Sequence, residues 1–199
     1  ASYHAPGGAY SVNLGSQAFQ GKLEMTEQCE PFGGSLNIWD TKNRFFRIDY
    51  LNLIEHPVVH PPSFASDRTL NDMVMGYYLG DVLDKEKSIL ERKVLFKDTV
   101  NSSAGEGLLA IVSMTVDPSR VPRDSLDNTV YYGFFVVRRG DFSYIVQHRQ
   151  DIYQPERMKA MLVTLMTDMT IPGKGYEQRI VDNLGVVDQV FGSQDEVDA

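Results

Sequence analysis

The chain reads as an α+β protein, an antiparallel β-sheet flanked by helices, and three stretches carry that reading. Residues 129–138 (TVYYGFFVVR) and 142–149 (FSYIVQHR) are rich in β-branched and aromatic side chains. Between them, Arg139-Gly140-Asp141 supplies the glycine that a hairpin turn uses at positive φ. Met158, Met161, Leu162, Leu165, Met166 and Met169 then recur at helical spacing, which predicts an amphipathic helix laid on that hairpin.

The earlier elements follow in order. Ala5-Pro6-Gly7-Gly8 predicts a turn, and Tyr10, Val12 and Leu14 alternate with Ser11 and Asn13 as a short strand. Residues 20–26 alternate less cleanly through Leu23 and Met25. Cys29-Glu30-Pro31-Phe32-Gly33-Gly34 predicts a loop, from its proline and paired glycines. Leu36 and Ile38, then Phe46, Ile48 and Tyr50, predict a hairpin closed by Asp40-Thr41-Lys42-Asn43. Residues 55–66 (EHPVVHPPSFAS) hold three prolines, which exclude a regular helix or a central strand and predict an extended surface connection.

Ser66 or Asp67 caps a helix expected to run to about Leu83, with Leu70, Met73, Val74, Tyr77 and Val82 facing inward. Gly76 and Gly80 inside it each cost about 1 kcal/mol relative to alanine, and close packing on the sheet is the expected compensation. Asp72, Asp81 and Asp84 make the segment too polar for a membrane helix dimer. Beyond it, Val94 and Phe96 alternate with Lys93 and Lys97, and Leu108, Ala110, Val112, Met114 and Val116 line another strand. Residues 101–107 (NSSAGEG) predict a flexible loop between them, and 117–128 a second connection with two prolines. Pro155 suits the first turn of the last long helix. After Pro172, Tyr176, Ile180, Leu184, Val187 and Phe191 form a further helical stripe that ends in Asp195-Glu196-Val197-Asp198. The expected organisation is one α+β sandwich domain over 1–172, then a C-terminal helical extension over 173–199 with an acidic tail.

Composition narrows the function. A 199-residue chain with 42% hydrophobic and 23% charged residues has enough apolar surface for a core without disulfides or metals. Its net charge of −8 opposes binding to nucleic acid, which needs clustered Lys and Arg; Arg138 and Arg139 form only a pair. Cys29 is the single cysteine, so no intrachain disulfide forms. No apolar run reaches the length of a membrane span.

His56 and His60 are the candidate metal ligands. Four-residue spacing on a helix would present both imidazoles to one ion, but Pro57 and Pro61 forbid that helix. On an extended segment the even spacing still puts both rings on one side, where Asp67 or Glu55 could complete a site. The plainer reading is a solvated proline-rich loop. Cys29 sits between Glu27 and Glu30, which favours a protonated thiol, buried or inert rather than catalytic. Gly33-Gly34-Ser35 and Gly15-Ser16 do not make a nucleophile elbow. His148 lies near Asp151, yet it shares the alternation of Phe142, Tyr144 and Val146 and has no nucleophile in the pattern. Gly173-Lys174-Gly175 lacks the strand and upstream glycine of a phosphate loop. Arg139-Gly140-Asp141 spells an adhesion tripeptide, which turn chemistry explains more simply. No catalytic constellation and no cofactor are expected, and the chain leans away from being an enzyme.

The layout resembles the Mog1/PsbP-like family, small sandwiches of an antiparallel sheet and helices. Three places carry the likeness: Pro6-Gly7-Gly8-Ala9-Tyr10-Ser11-Val12-Asn13-Leu14 as an opening strand after a turn, the helix at 70–83, and the strands of 131–147 running into the helix at 155–169. It covers residues 5–170 and is topological. The C-terminal extension and the connection at 117–128 fall outside it. The resemblance implies binding or assembly rather than catalysis, since members act as accessory subunits of photosynthetic oxygen evolution, as a small-GTPase binding factor, or as bacterial envelope lipoproteins. No functional residue transfers.

The leading expectation is therefore a non-catalytic bacterial envelope protein, a binding or assembly accessory factor whose partner is another envelope protein. The start at Ala1, without methionine, fits an exported periplasmic or extracellular protein, or a lipoprotein tethered to the membrane periphery through an N-terminus not seen here; the cytoplasm is the alternative. The alternative function is a small-ligand or metal-binding protein, an enzyme included, with its site around His56 and His60 beside His148.

Overall fold

The structure is a computed structural model that describes residues 1–57, 59, 65–82, 89–120 and 128–172. In chain order it contains β1 (Ser2–His4), β2 (Ser11–Asn13), β3 (Glu24–Glu30), β4 (Gly33–Trp39), β5 (Phe45–Asn52), α1 (Asp67–Gly76), β6 (Ile89–Ser102), β7 (Gly105–Val116), β8 (Thr129–Arg139), β9 (Phe142–Gln150), α2 (Pro155–Thr167) and β10 (Met169–Thr170). Among these, seven strands form one fully antiparallel sheet in the order β3-β4-β5-β9-β8-β7-β6. Helix α1 covers one face. Helix α2 and a small sheet, β1-β2-β10, cover the other. The result is the α+β sandwich that the alternation predicted.

The face beneath α2 is apolar because Leu36 and Ile38, Phe46 and Ile48, and Val146 all point there. Met158, Leu162 and Leu165 of α2 are fully buried against them, as the stripe predicted. Tyr144 ties the small sheet down by donating its hydroxyl to the Ala9 carbonyl at 2.6 Å. On the other face, Leu70 and Val74 of α1 are buried over Ala110, Val112, Phe134 and Val136 of β7 and β8. Strands β7 and β8 are therefore apolar on both sides, since both are covered there.

Several local expectations change. The loop expected at 29–34 is a tight hairpin: β3 runs through Glu30, Pro31 takes the corner, and Phe32 adopts φ +69°. The glycines belong to β4 instead, where a Cβ on Gly33 would lie 2.0 Å from the Tyr50 carbonyl oxygen. Likewise 101–107 is strand on both sides of a two-residue turn at Ser103-Ala104, not a flexible loop. A bulge between Val94 and Phe96 breaks their shared alternation: Val94 pairs with Val112, Phe96 with Ile111, so they face opposite sides.

Ser66 caps α1, accepting from the Thr69 amide at 3.1 Å. After Gly76 the helix widens into a π-helical segment, Tyr77–Val82. This widening brings Tyr78 and Leu79 inward, while Met73 and Tyr77 are only partly buried. Gly76 and Gly80 meet nothing within 4 Å of an added Cβ, so sheet contact does not compensate them. The connection after β5 does not lie only on the surface either, since Leu53, His56, Val59 and Ala65 are buried at the α1 side. His60, Leu83 and the extension at 173–199 lie outside the described residues.

Candidate binding face

Helix α1 packs mainly on β7 and β8, with Asp72 reaching Lys97 of β6 at 3.5 Å. On the same side of the sheet, β3, β4, β5 and β9 present a different surface. Ser35, Asn37 and Trp39 alternate with core residues of β4, Arg47 and Asp49 with those of β5, and Gln147 and Arg149 with those of β9. The apolar set of each strand goes to α2, which leaves this polar set for the half beyond α1.

Its centre is Asp49, whose side chain is fully buried. Arg47 Nε donates to Oδ1 at 2.8 Å; the Tyr78 hydroxyl and Gln147 Nε2 donate to Oδ2 at 2.7 Å and 3.0 Å. Arg47 also bonds Glu30 at 3.2 Å, and Ser35 Oγ donates to that same carboxylate at 3.2 Å. Burial pushes the Asp49 carboxyl up, outweighing the charge and hydrogen bond of Arg47. The same burial, reinforced by Asp49, pushes the Tyr78 phenol well up. This network stitches the π-helical segment to the sheet. The donors of Arg47, Tyr78, Gln147 and Ser35 named here all end on the carboxylates of Asp49 and Glu30.

Nearer the β4–β5 turn the face opens into a hollow of about 690 Å³ lined by Lys22, Glu24, Trp39, Thr41, Asn43 and Arg149, with Asp40 in its wall. Trp39 and Phe45 pack at 4.7 Å between ring centroids, and the Arg149 guanidinium lies over both, 5.3 Å from the first ring and 5.9 Å from the second. The rim is held by Asp40, which accepts from the amides of Gln20, Lys42 and Arg44 and from the Arg44 guanidinium, the last at 2.6 Å. Burial alone would raise the Asp40 carboxyl, but Arg44 and those amides together hold it below the ordinary carboxylate range. Thr41 closes the seam, its amide donating to the Gln20 carbonyl and its hydroxyl to the Lys22 carbonyl.

The residues singled out from sequence fall elsewhere. His56 is buried, accepts at Nδ1 from the Val59 amide at 3.0 Å, and packs edge-on to Tyr77 and Phe32. Burial pushes its pKa down. Its candidate co-ligand His60 lies outside the described residues. Asp67 is engaged by the buried Arg138 at 2.8 Å, and no group of three His, Cys, Asp or Glu suited to a metal occurs among the described residues. His148 is not beside His56. It sits on the α2 side, stacked on Phe46 at 4.4 Å, with Nδ1 donating to the Phe45 carbonyl at 3.0 Å. Burial pushes it down to about 4, so it is a neutral core residue at ordinary pH. Cys29 is exposed on β3. The Arg-Gly-Asp tip is folded inward: Arg139 donates to the Ala104 carbonyl, and the Asp141 carbonyl accepts from the Leu53 amide. The Asp49 network and the Trp39–Arg149 stack had no signal in the sequence beyond polar residues in strand alternation, which ordinarily marks a solvent face.

No family model matches the chain, and no curated protein does. Solved structures do. Cyanobacterial PsbP (CyanoP) from Synechocystis sp. PCC 6803 superposes with a TM-score of 0.56 at 9% identity, over 86% of this chain and 92% of that one. The Saccharomyces cerevisiae Ran-binding protein Mog1p gives 0.47 at 11% identity, covering 87% and 95%. A Bacteroides thetaiotaomicron VPI-5482 protein gives 0.44 at 12%, covering 95% and 60%. The fold is thus PsbP-like, as the resemblance implied, and at these identities the likeness concerns the fold alone.

Proposed function

We propose that the chain is a non-catalytic binding or assembly factor of the bacterial envelope, and that it meets a partner protein on the open half of the sheet. One observation carries the reading. The buried ionisable groups are committed to architecture: Asp49 to Arg47, Tyr78 and Gln147, Asp40 to Arg44, Arg138 to Asp67, and His148 to a backbone carbonyl. Groups satisfied in this way hold a shape and are poorly placed to exchange protons with a substrate. What remains outward is β3, exposed along nearly its whole length, beside half-buried Asn37, Trp39, Phe45 and Arg47 of β4 and β5, a mix of charge and aromatic character that suits a polar protein contact.

Site-directed photo-crosslinking in fractionated cells tests both the surface and the compartment. A crosslinker at Thr26 on β3 should give a discrete adduct in the envelope fraction, and one at Glu156 on α2 should not. Equal labelling from both positions, or protein confined to the cytosol, would overturn the proposal.

A further inference from the structure

We infer that the hollow over Trp39 is a binding site for a small carboxylate bearing a hydroxyl or amino group on the adjacent carbon. This goes beyond a protein contact and does not depend on one.

The argument starts from the arginines. Arg44, Arg47, Arg68 and Arg138 each end on a carboxylate at 2.6–3.0 Å. Arg149 does not. Its nearest acidic group is Asp151 at 4.0 Å, beyond hydrogen-bond range and 79% exposed, and among the described residues the guanidinium makes no hydrogen bond. Instead it lies over the Trp39 and Phe45 rings at cation–π range. A guanidinium is a planar fork of donors whose geometry matches a carboxylate.

The rest of the lining completes the chemistry. Asp40 is neutralised by Arg44, so the charges facing the hollow are Arg149 and Lys22 against Glu24. A net positive cavity in a chain of charge −8 selects an anionic group. Glu24, with the hydroxyl of Thr41 and the amide of Asn43, offers acceptors for a second, donating group next to that anion. The volume is that of a small-molecule site, and the Asp40 clamp sets its walls in advance. Two ligand types share this chemistry, 2-hydroxy acids and amino acids.

Trp39 is the only tryptophan in the chain, so its emission reports the site directly. The full chain is titrated with L-lactate, L-alanine, propionate and inorganic phosphate into the millimolar range. Saturable change in Trp39 emission with lactate, alanine or both supports the inference and assigns the donor as hydroxyl or amine. Arg149→Gln should weaken that binding about tenfold or more, and Arg149→Lys, which keeps the charge but loses the fork, should weaken it too. Glu24→Gln should erode the preference for lactate or alanine over propionate. Unchanged circular dichroism in each variant separates lost binding from lost fold. No saturable response to any probe, equal response to propionate or phosphate, or full affinity in Arg149→Gln would overturn the assignment.

Discussion

Two halves of the same sheet face were built by opposite means. Under α1, β7 and β8 carry Ala110, Val112, Phe134 and Val136, and a helix of complementary apolar pattern closes over them. Past the edge of that helix, β5 and β9 carry Arg47, Asp49 and Gln147, and cross-linked polar groups do the closing. The covered half is held by area removed from water, which tolerates small shifts. The open half is held by direction and charge, which do not. A sheet can therefore outgrow its helix, provided that the buried carboxylate in the uncovered part is fully satisfied.

Breaking each half tests this contrast. Asp49→Ala should be the most damaging change, about 3–5 kcal/mol, because it removes the acceptor on which Arg47, Tyr78 and Gln147 converge. Asp49→Asn should cost less and should also alter the pH dependence. Since burial raises the Asp49 carboxyl, wild-type stability declines as pH climbs from the ordinary carboxylate range to that raised value, and the decline vanishes in the amide variant. Urea unfolding across acidic pH reads both effects. In the covered half, Leu70→Ala should cost about 2–5 kcal/mol with no change in pH profile, since only apolar contact is lost. A pH-dependent loss there would erase the distinction.

His148 sharpens the comparison from the opposite face. Its folded value of about 4 lies below the ordinary 6.5, so stability is fully present above pH 6.5 and falls as pH drops toward 4, by roughly 3 kcal/mol in total. His148→Phe should flatten that slope while keeping the ring stack on Phe46. Chemical denaturation of both proteins at pH 7.5 and pH 4.5 checks it. The smallest effect expected is Ser66→Ala, about 1 kcal/mol by thermal melting, from loss of the α1 cap alone.

What the sequence disclosed follows the same division. The hairpin of β8 and β9 and the stripe of α2 were legible because apolar periodicity and burial coincide there. The helix expected from Ser66 was right at its cap and in the inward Leu70 and Val74, but its face departs after Gly76, where the π-helical widening at Tyr77 brings Tyr78 to Asp49, and no local pattern announces that change. Pro31 and Gly33 suggested a loop because sequence alone cannot show that Gly33 is required by the Tyr50 carbonyl behind it. Trp39 and Arg149 meet only because β5 lies between β4 and β9. Strand order is a long-range property, so a site assembled across three strands stays hidden in a single sequence.

Strand β3 is the outermost strand of its sheet, exposed along nearly its whole length, and Glu24, Glu27 and Glu30 punctuate it. Among the described residues no strand pairs with its outer side, which makes that border a template on which another molecule's strand can pair, and spaced negative charges discourage copies from joining edge to edge. Exchanging the glutamates for glutamine is expected to raise self-association through this border.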